Sequence, residues 1–150
     1  MDNVELIQKS VLFKGNSVEE IELAAGLFQE RQIKQNTTIF TEKMPAEALY
    51  IIKSGKVRIS IMVGEGEEKP LLLLGPGEFF GELALLQEES RLVSARADTQ
   101  VELLLLTRND FQALVELVPR TGARVAMRIA KLLAMRVKAY SARLRDILIE

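Results

Sequence analysis

EFFGELALLQEESRLVSARA, running from Glu78 to Ala97, is the stretch on which the fold turns. It is largely apolar, yet it encloses an acid, Glu82, between Gly81 and Leu83 and supplies an arginine, Arg91, nine residues later. An ordinary buried strand needs neither. Gly81 permits a sharp turn and a close backbone approach to a ligand. Glu82 to Leu86 can form about one helical turn, whose free N–H groups suit an anion. Arg91 adds a permanently charged fork of donors that matches a phosphate diester. Glu82 would repel such a phosphate, so its natural partner is a hydroxyl, such as that of a ribose, which donates to a carboxylate. The same two side chains also fit an exposed ion pair worth about 0–1 kcal/mol.

Around this stretch the sequence reads as short strands. LYIIKSGKV (49–57) is strand, turn, strand, with Gly55 at the turn. Val57, Ile59, Ile61 and Val63 alternate with Arg58, Ser60 and Met62, the period of a strand with one buried face. GEGEEKP (64–70) is a polar turn, and VSARADTQVELLLLT gives two more strands around Asp98-Thr99-Gln100. Frequent turn signals between short strands point to a barrel or sandwich.

Helices flank the strands. Ser17 and Glu20 have capping-box spacing, followed by Ile21, Leu23, Ala24, Leu27 and Phe28 at helical spacing. Asn109 or Asp110 can cap a short helix, FQALVELV, and Pro119 suits the first turn of a longer one. Residues 1–118 thus form a β-rich body with its helices, and 119–150 a long terminal helix. Ile129, Leu133, Val137, Tyr140 and Leu144 recur at the spacing of a coiled-coil seam. Such a helix is roughly 40 Å long, more than a small barrel covers alone. Those five residues are the expected dimer interface.

The chain has 150 residues with neither cysteine nor histidine. That removes disulfides, thiolate nucleophiles, the usual neutral-pH base and the commonest metal ligand. Neither catalytic residues nor a metal site nor a cofactor are expected, and a cytoplasmic location suits the composition. Apolar runs such as Leu71–Leu74 are far short of the about 20 residues of a membrane span, and the acidic, polar N-terminus is no secretory signal. Residues 1–119 carry 12 basic and 19 acidic side chains, whereas 120–150 carry 8 basic and 2 acidic. A basic helix on an acidic body is either a solvated face or a weak nucleic-acid contact.

Phe80-Gly81-Glu82-Leu83-Ala84-Leu85-Leu86 with Arg91 and Ala97, led in by Leu74–Phe79 and by Leu49–Val57, resembles the phosphate-binding cassette of cyclic nucleotide-binding domains of the catabolite-activator and protein kinase A regulatory-subunit types. The resemblance implies an eight-stranded jelly-roll β-barrel in a mainly β fold, with N-terminal helices and a long C-terminal helix. It implies a cyclic nucleotide, cyclic AMP or cyclic GMP, bound at Gly81, Glu82, Leu83, Ala84, Arg91, Leu92 and Val93. Glu82 would take the ribose 2′-hydroxyl, Arg91 the cyclic phosphate, and backbone amides around Gly81, Leu83 and Leu92 would complete the cradle. The C-terminal helix would lid the base, with Arg124, Met127 and Arg128 in the region that reads it, and would pair two subunits as a homodimer.

The sequence departs from the family pattern in places. Ser90-Arg91-Leu92-Val93-Ser94 lacks the usual proline before the arginine and puts bulk after it, and Gln87-Glu88-Glu89 adds acids near the anion site. Asn36 stands at a usual glycine position and Lys43-Met44 replaces a common Gly-Asp. These departures favour a second expectation, a dimeric interaction scaffold with an unidentified protein partner. A third is the sensor part of a longer transcription regulator. Sequence-specific DNA binding is not expected of this chain alone.

Overall fold

In the computed structural model, which describes residues 1–149, eight strands form two four-stranded antiparallel sheets. Two short helices, α1 (Asn3–Lys9) and α2 (Val18–Ala25), come first, separated by a single turn at Val11–Phe13. The strands are β1 (Gln29–Ile33), β2 (Thr38–Phe40), β3 (Ala48–Ser54), β4 (Val57–Met62), β5 (Glu68–Leu74), β6 (Phe79–Phe80), β7 (Ser94–Ala97) and β8 (Val101–Thr107). Helices α3 (Arg108–Leu117) and α4 (Pro119–Ile149) follow. The sheet orders are β1-β8-β3-β6 and β2-β7-β4-β5, a jelly roll whose outer strands leave the barrel open.

The central pair β3–β8 explains the layering. ALYIIKS and VELLLLT are almost continuously apolar, as strands covered on both faces must be. Ala48, Tyr50, Ile52, Leu103 and Leu105 face the second sheet and pack with Val57, Ile59, Ala95 and Ala97. The intervening Leu49, Ile51, Leu104 and Leu106 face the helices and pack with Ile7, Phe13, Ile21, Leu114 and Val125. One strand pair therefore holds two cores.

Local chemistry accounts for most of the boundaries. Ser17 Oγ accepts from the Glu20 amide at 3.2 Å while Glu20 Oε1 accepts from the Ser17 amide at 2.8 Å. The Ser17 amide holds the Glu20 carboxyl below its ordinary range. Gly55 has φ +86°, and a Cβ there would lie 2.2 Å from the Gln100 carbonyl oxygen, so the β3–β4 turn tolerates no side chain. Asn36 and Lys43 both take positive φ, at 66° and 71°. The lysine lacks the local hydrogen bonding that eases asparagine into this region, where the steric penalty is about 1–2 kcal/mol.

Two local expectations are corrected. Glu68–Pro70 belong to β5 rather than to a turn, because Met62 and Ser60 on β4 pair with Glu68 and Pro70. Helix α3 begins at Arg108 with Thr107 as its cap, not Asn109 or Asp110, and Thr107 Oγ1 accepts from the Asp110 amide at 3.1 Å. Strand β8 runs without a break into the helix, so its last extended residue is the one placed to cap.

Helix α4 is anchored by polar contacts along its first turns and again at Arg136 in its middle. Thr121 Oγ1 and Arg124 Nη1 donate to Asn16 Oδ1 at 2.9 and 3.0 Å, and Arg128 Nη2 donates to the Lys14 carbonyl at 3.2 Å. Gly122 packs directly on Val115 of α3. Ile129 is 0% exposed within the helix-side core, and Leu133 is half-buried against it. Ile129 is therefore unavailable to a dimer, because its own chain's helices already cover it. Val137, Tyr140 and Leu144 are exposed.

A Cβ on Gly122 would lie 2.7 Å from Val115 Cγ2 and 2.9 Å from its Cα. Gly122→Ala is expected to destabilise the fold by about 1–3 kcal/mol, the cost of overpacking. Urea unfolding checks this as a lower midpoint with an unchanged slope.

Candidate functional site

The site begins where β6 ends. Phe79–Phe80 pairs with Tyr50–Ile51 of β3, and the rings of Phe80 and Tyr50 stack with centroids 5.0 Å apart. Gly81, at φ +79°, then swings the chain into a single 3₁₀ turn over Glu82–Leu85. A Cβ at Gly81 would stand 2.7 Å from Arg91 Nη1 and 3.1 Å from the Ala48 carbonyl oxygen. The glycine is what lets the guanidinium of Arg91 lie under the turn.

Arg91 is 8% exposed. Its Nη2 donates to the Ala48 carbonyl at 2.8 Å and its Nη1 to the Gly81 carbonyl at 3.4 Å. The Phe40 ring lies below, with Cζ 4.1 Å from the centroid, a cation–π geometry. Its buried Nε has no hydrogen-bond partner among the described residues. Burial pushes the guanidinium below its usual range, partly offset by Tyr50, Glu47 and Glu82. Neutral carbonyls and ring faces compensate a buried cation only in part, and an anion would complete the compensation.

The backbone of Arg91 is fixed by a small ladder. The Lys43 amide donates to the Arg91 carbonyl at 2.9 Å, the Arg91 amide to the Met44 carbonyl at 2.8 Å, and the Ala46 amide to the Glu89 carbonyl at 2.8 Å. Pro45 bridges Ser90 in the same run. This pairing holds the segment that carries Arg91 in place.

Glu82 is 5% exposed, and its carboxylate meets Arg136, whose Nη1 is 2.8 Å from Oε1. The half-exposed Arg136 comes from the middle of α4, so the terminal helix crosses the cassette at this pair. The residue reading did not single out Arg136. The available signal was its position seven residues after Ile129, two turns along the face that packs on the body.

The remaining expected site residues lie in distinct surroundings. Leu83 packs into the helix-side core and Ala84 is fully buried, so both present backbone rather than side chain to a ligand. Val93 packs partly against the inter-sheet core, while Leu92 is 69% exposed. In the acidic turn, Glu88 faces Arg108 at 3.7 Å and Glu89 accepts from Gln87 at 2.8 Å. Ser94 Oγ accepts from the Glu42 amide at 3.1 Å. Arg124 and Arg128 are committed to the α4 anchor described above, and Met127 is exposed. A groove of about 440 Å³ adjoins the strand that follows Arg91, lined by Ser94, Arg96, Lys43, Glu42, Thr38 and Glu68 among others, and contains neither Glu82 nor Arg91.

Among the described residues, no group of three or more His, Cys, Asp or Glu side chains is arranged to hold a metal ion, and no helix is long and apolar enough to cross a membrane.

Comparison with known proteins places the chain among known relatives. The chain is 44% identical over 129 residues to the cyclic AMP receptor protein of Thermus thermophilus, covering 86% of this chain and 58% of that protein. It superposes on the crystal structure of the Thermus thermophilus catabolite activator protein with a TM-score of 0.80 and 42% identity, over 89% of this chain and 61% of the other. The regulatory domain of Toxoplasma gondii PKA, solved with cAMP, matches with a TM-score of 0.69 and 30% identity over 75% of this chain and 42% of that one. The chain thus spans less than two thirds of the length of these relatives. With residues 30–117 matching the family described as the cyclic nucleotide-binding domain, the chain belongs to that family.

Proposed function

We propose that this chain is a non-catalytic, cytoplasmic sensor module that binds cyclic AMP or cyclic GMP and acts by repositioning α4 within a homodimer. The observation that carries this reading is the pair of buried charges on the cassette. Arg91 sits beneath Gly81 with an unpartnered Nε, and Glu82 is buried one residue further on. An anion relieves the first, and a donating hydroxyl has a carboxylate to meet at the second. Gly81, Leu83, Ala84, Leu92 and Val93 supply the surrounding backbone.

Arg136 links occupancy to the helix. Its guanidinium holds Glu82, so a ligand hydroxyl arriving at that carboxylate meets α4 directly. A ligand moves such a helix only through unequal affinity for its two arrangements. Leu133, half-buried, would border the dimer seam formed by Val137, Tyr140 and Leu144.

A second reading, a ligand-free scaffold for an unidentified protein partner, is favoured by the exposure of Leu92 beside Arg91 and by Arg136 already occupying Glu82. The relatives' greater length also suits a sensor joined to further domains. Sequence-specific DNA contact is assigned to none of the residues described.

Calorimetric titration with cyclic AMP and cyclic GMP is expected to show saturable binding at micromolar or lower concentration. Arg91→Ala should weaken it about 10- to 100-fold, since a hydrogen bond to a charged group contributes about 1.5–3 kcal/mol. Absence of heat and of a thermal shift at millimolar nucleotide would leave the scaffold reading. Light scattering tests the assembly: Leu144→Asp should turn a dimer into a monomer, whereas an unchanged dimer would place the interface elsewhere.

A further inference from the structure

We propose that Arg108 is a positioning residue that holds the two halves of the cassette together from behind and ties both to the helical block. Its importance to ligand binding rests on the cassette being the ligand site. Its mechanical role does not.

Arg108 is the first residue of α3, and its side chain is mostly buried. Its backbone amide donates to the Glu47 carbonyl at 3.0 Å. A single nitrogen, Nη1, then reaches three carbonyls: Ala46 at 3.0 Å, Ala84 at 3.1 Å and Gln87 at 3.2 Å. Nη2 faces Glu88 at 3.7 Å.

These acceptors lie on the Glu82 turn and on the run that pairs with the Arg91 segment. Ala84 and Gln87 lie in and just beyond the 3₁₀ turn that starts with Glu82. Carbonyls at the end of a helical turn lack intrahelical partners and form its negative pole, where a cation is favoured. Ala46 lies in the run that pairs with Glu89–Arg91 and so fixes the backbone of Arg91. One guanidinium therefore joins the Glu82 turn to the Arg91 ladder, although it touches neither side chain.

The same residue reaches the other way. It opens α3, and α3 abuts α4 where Gly122 meets Val115. A displacement of the cassette thus pulls on the start of α3 through Arg108 as well as on the middle of α4 through Arg136.

The three carbonyl contacts come from one nitrogen, so the geometry asks for a point cation rather than a planar fork. A lysine ammonium, with its three donors, meets that requirement, and an uncharged side chain of similar length does not.

The test is amide hydrogen exchange on the nucleotide-free protein, comparing wild type with Arg108→Met and Arg108→Lys. Arg108→Met is expected to speed exchange at Ala46, Ala84, Leu86 and Arg91 by about tenfold or more, leaving Ile51 and Leu104 at wild-type rates. Arg108→Lys is expected to restore protection. Unchanged cassette exchange in Arg108→Met, or equal acceleration across the whole fold, overturns the proposal. If Arg108→Met does not fold, Arg108→Gln takes its place with the same expectation of faster cassette exchange, and wild-type cassette exchange in that folded variant overturns the proposal.

Titration with cyclic AMP adds a second readout, with affinity falling about tenfold in Arg108→Met and retained in Arg108→Lys. A wild-type protein that binds no nucleotide refutes the ligand reading, while the exchange comparison still decides the role of Arg108.

Discussion

The pairing of β3 with β8 is the constraint on which the rest of the structure depends. Both strands are covered on both faces, so each apolar residue along them belongs to one core or the other. Full burial of one such aliphatic side chain contributes about 1.5–3 kcal/mol. The pair also fixes the site, because the carbonyl of Ala48 on β3 is the nearest anchor for Arg91. Across the strand the Ala48 side chain packs into the inter-sheet core, so any shift of β3 moves the arginine. The position of the charge is thus set by packing on the far side of the backbone.

Against this apolar frame the cassette is an exception. It buries a cation and an anion in neighbouring positions, and neither has an ideal partner inside the fold. Arg91 is held by carbonyls and the Phe40 ring, and Glu82 by a half-exposed arginine from another element. Local imperfection of this kind, surrounded by tightly packed structure, is where proteins place their function. The strain is small beside the two cores, and the fold tolerates it.

Features encoded by neighbouring residues were legible in the amino-acid sequence. The Ser17–Glu20 capping box, the glycine turn that carries the chain from β3 in one sheet to β4 in the other, the entry of Pro119 into α4 and the glycine before Glu82 all follow from chemistry within a few positions. Features that depend on distant partners were not. Strand β1, QERQI, is a polar edge strand with little apolar pattern, and its pairing with β8 determines it. The leucine and isoleucine spacing on α4 reads as one continuous seam, but Ile129 faces the N-terminal helices and only the later members are exposed. Periodicity reports that a face is apolar and leaves open what covers it. Arg136 and Arg108 escaped for the same reason: each acquires its role from the element that happens to pass beside it.

The attachment of α4 makes it a lever with unequal arms. Its fulcrum is the last of its polar anchors, Arg128 on the Lys14 carbonyl, one turn beyond Thr121 and Arg124 at Asn16. From Arg128 to Ile149 the helix extends about 30 Å at its ordinary rise per residue. Arg136 grips Glu82 about 12 Å along that arm. A displacement at the cassette is therefore magnified more than twofold at the tip. A tilt that moves Arg136 by about 2 Å carries the end of the helix about 5 Å, the pitch of one helical turn. In the proposed sensor, that is the gain with which occupancy of the cassette would be turned into a change of position at the far end of α4.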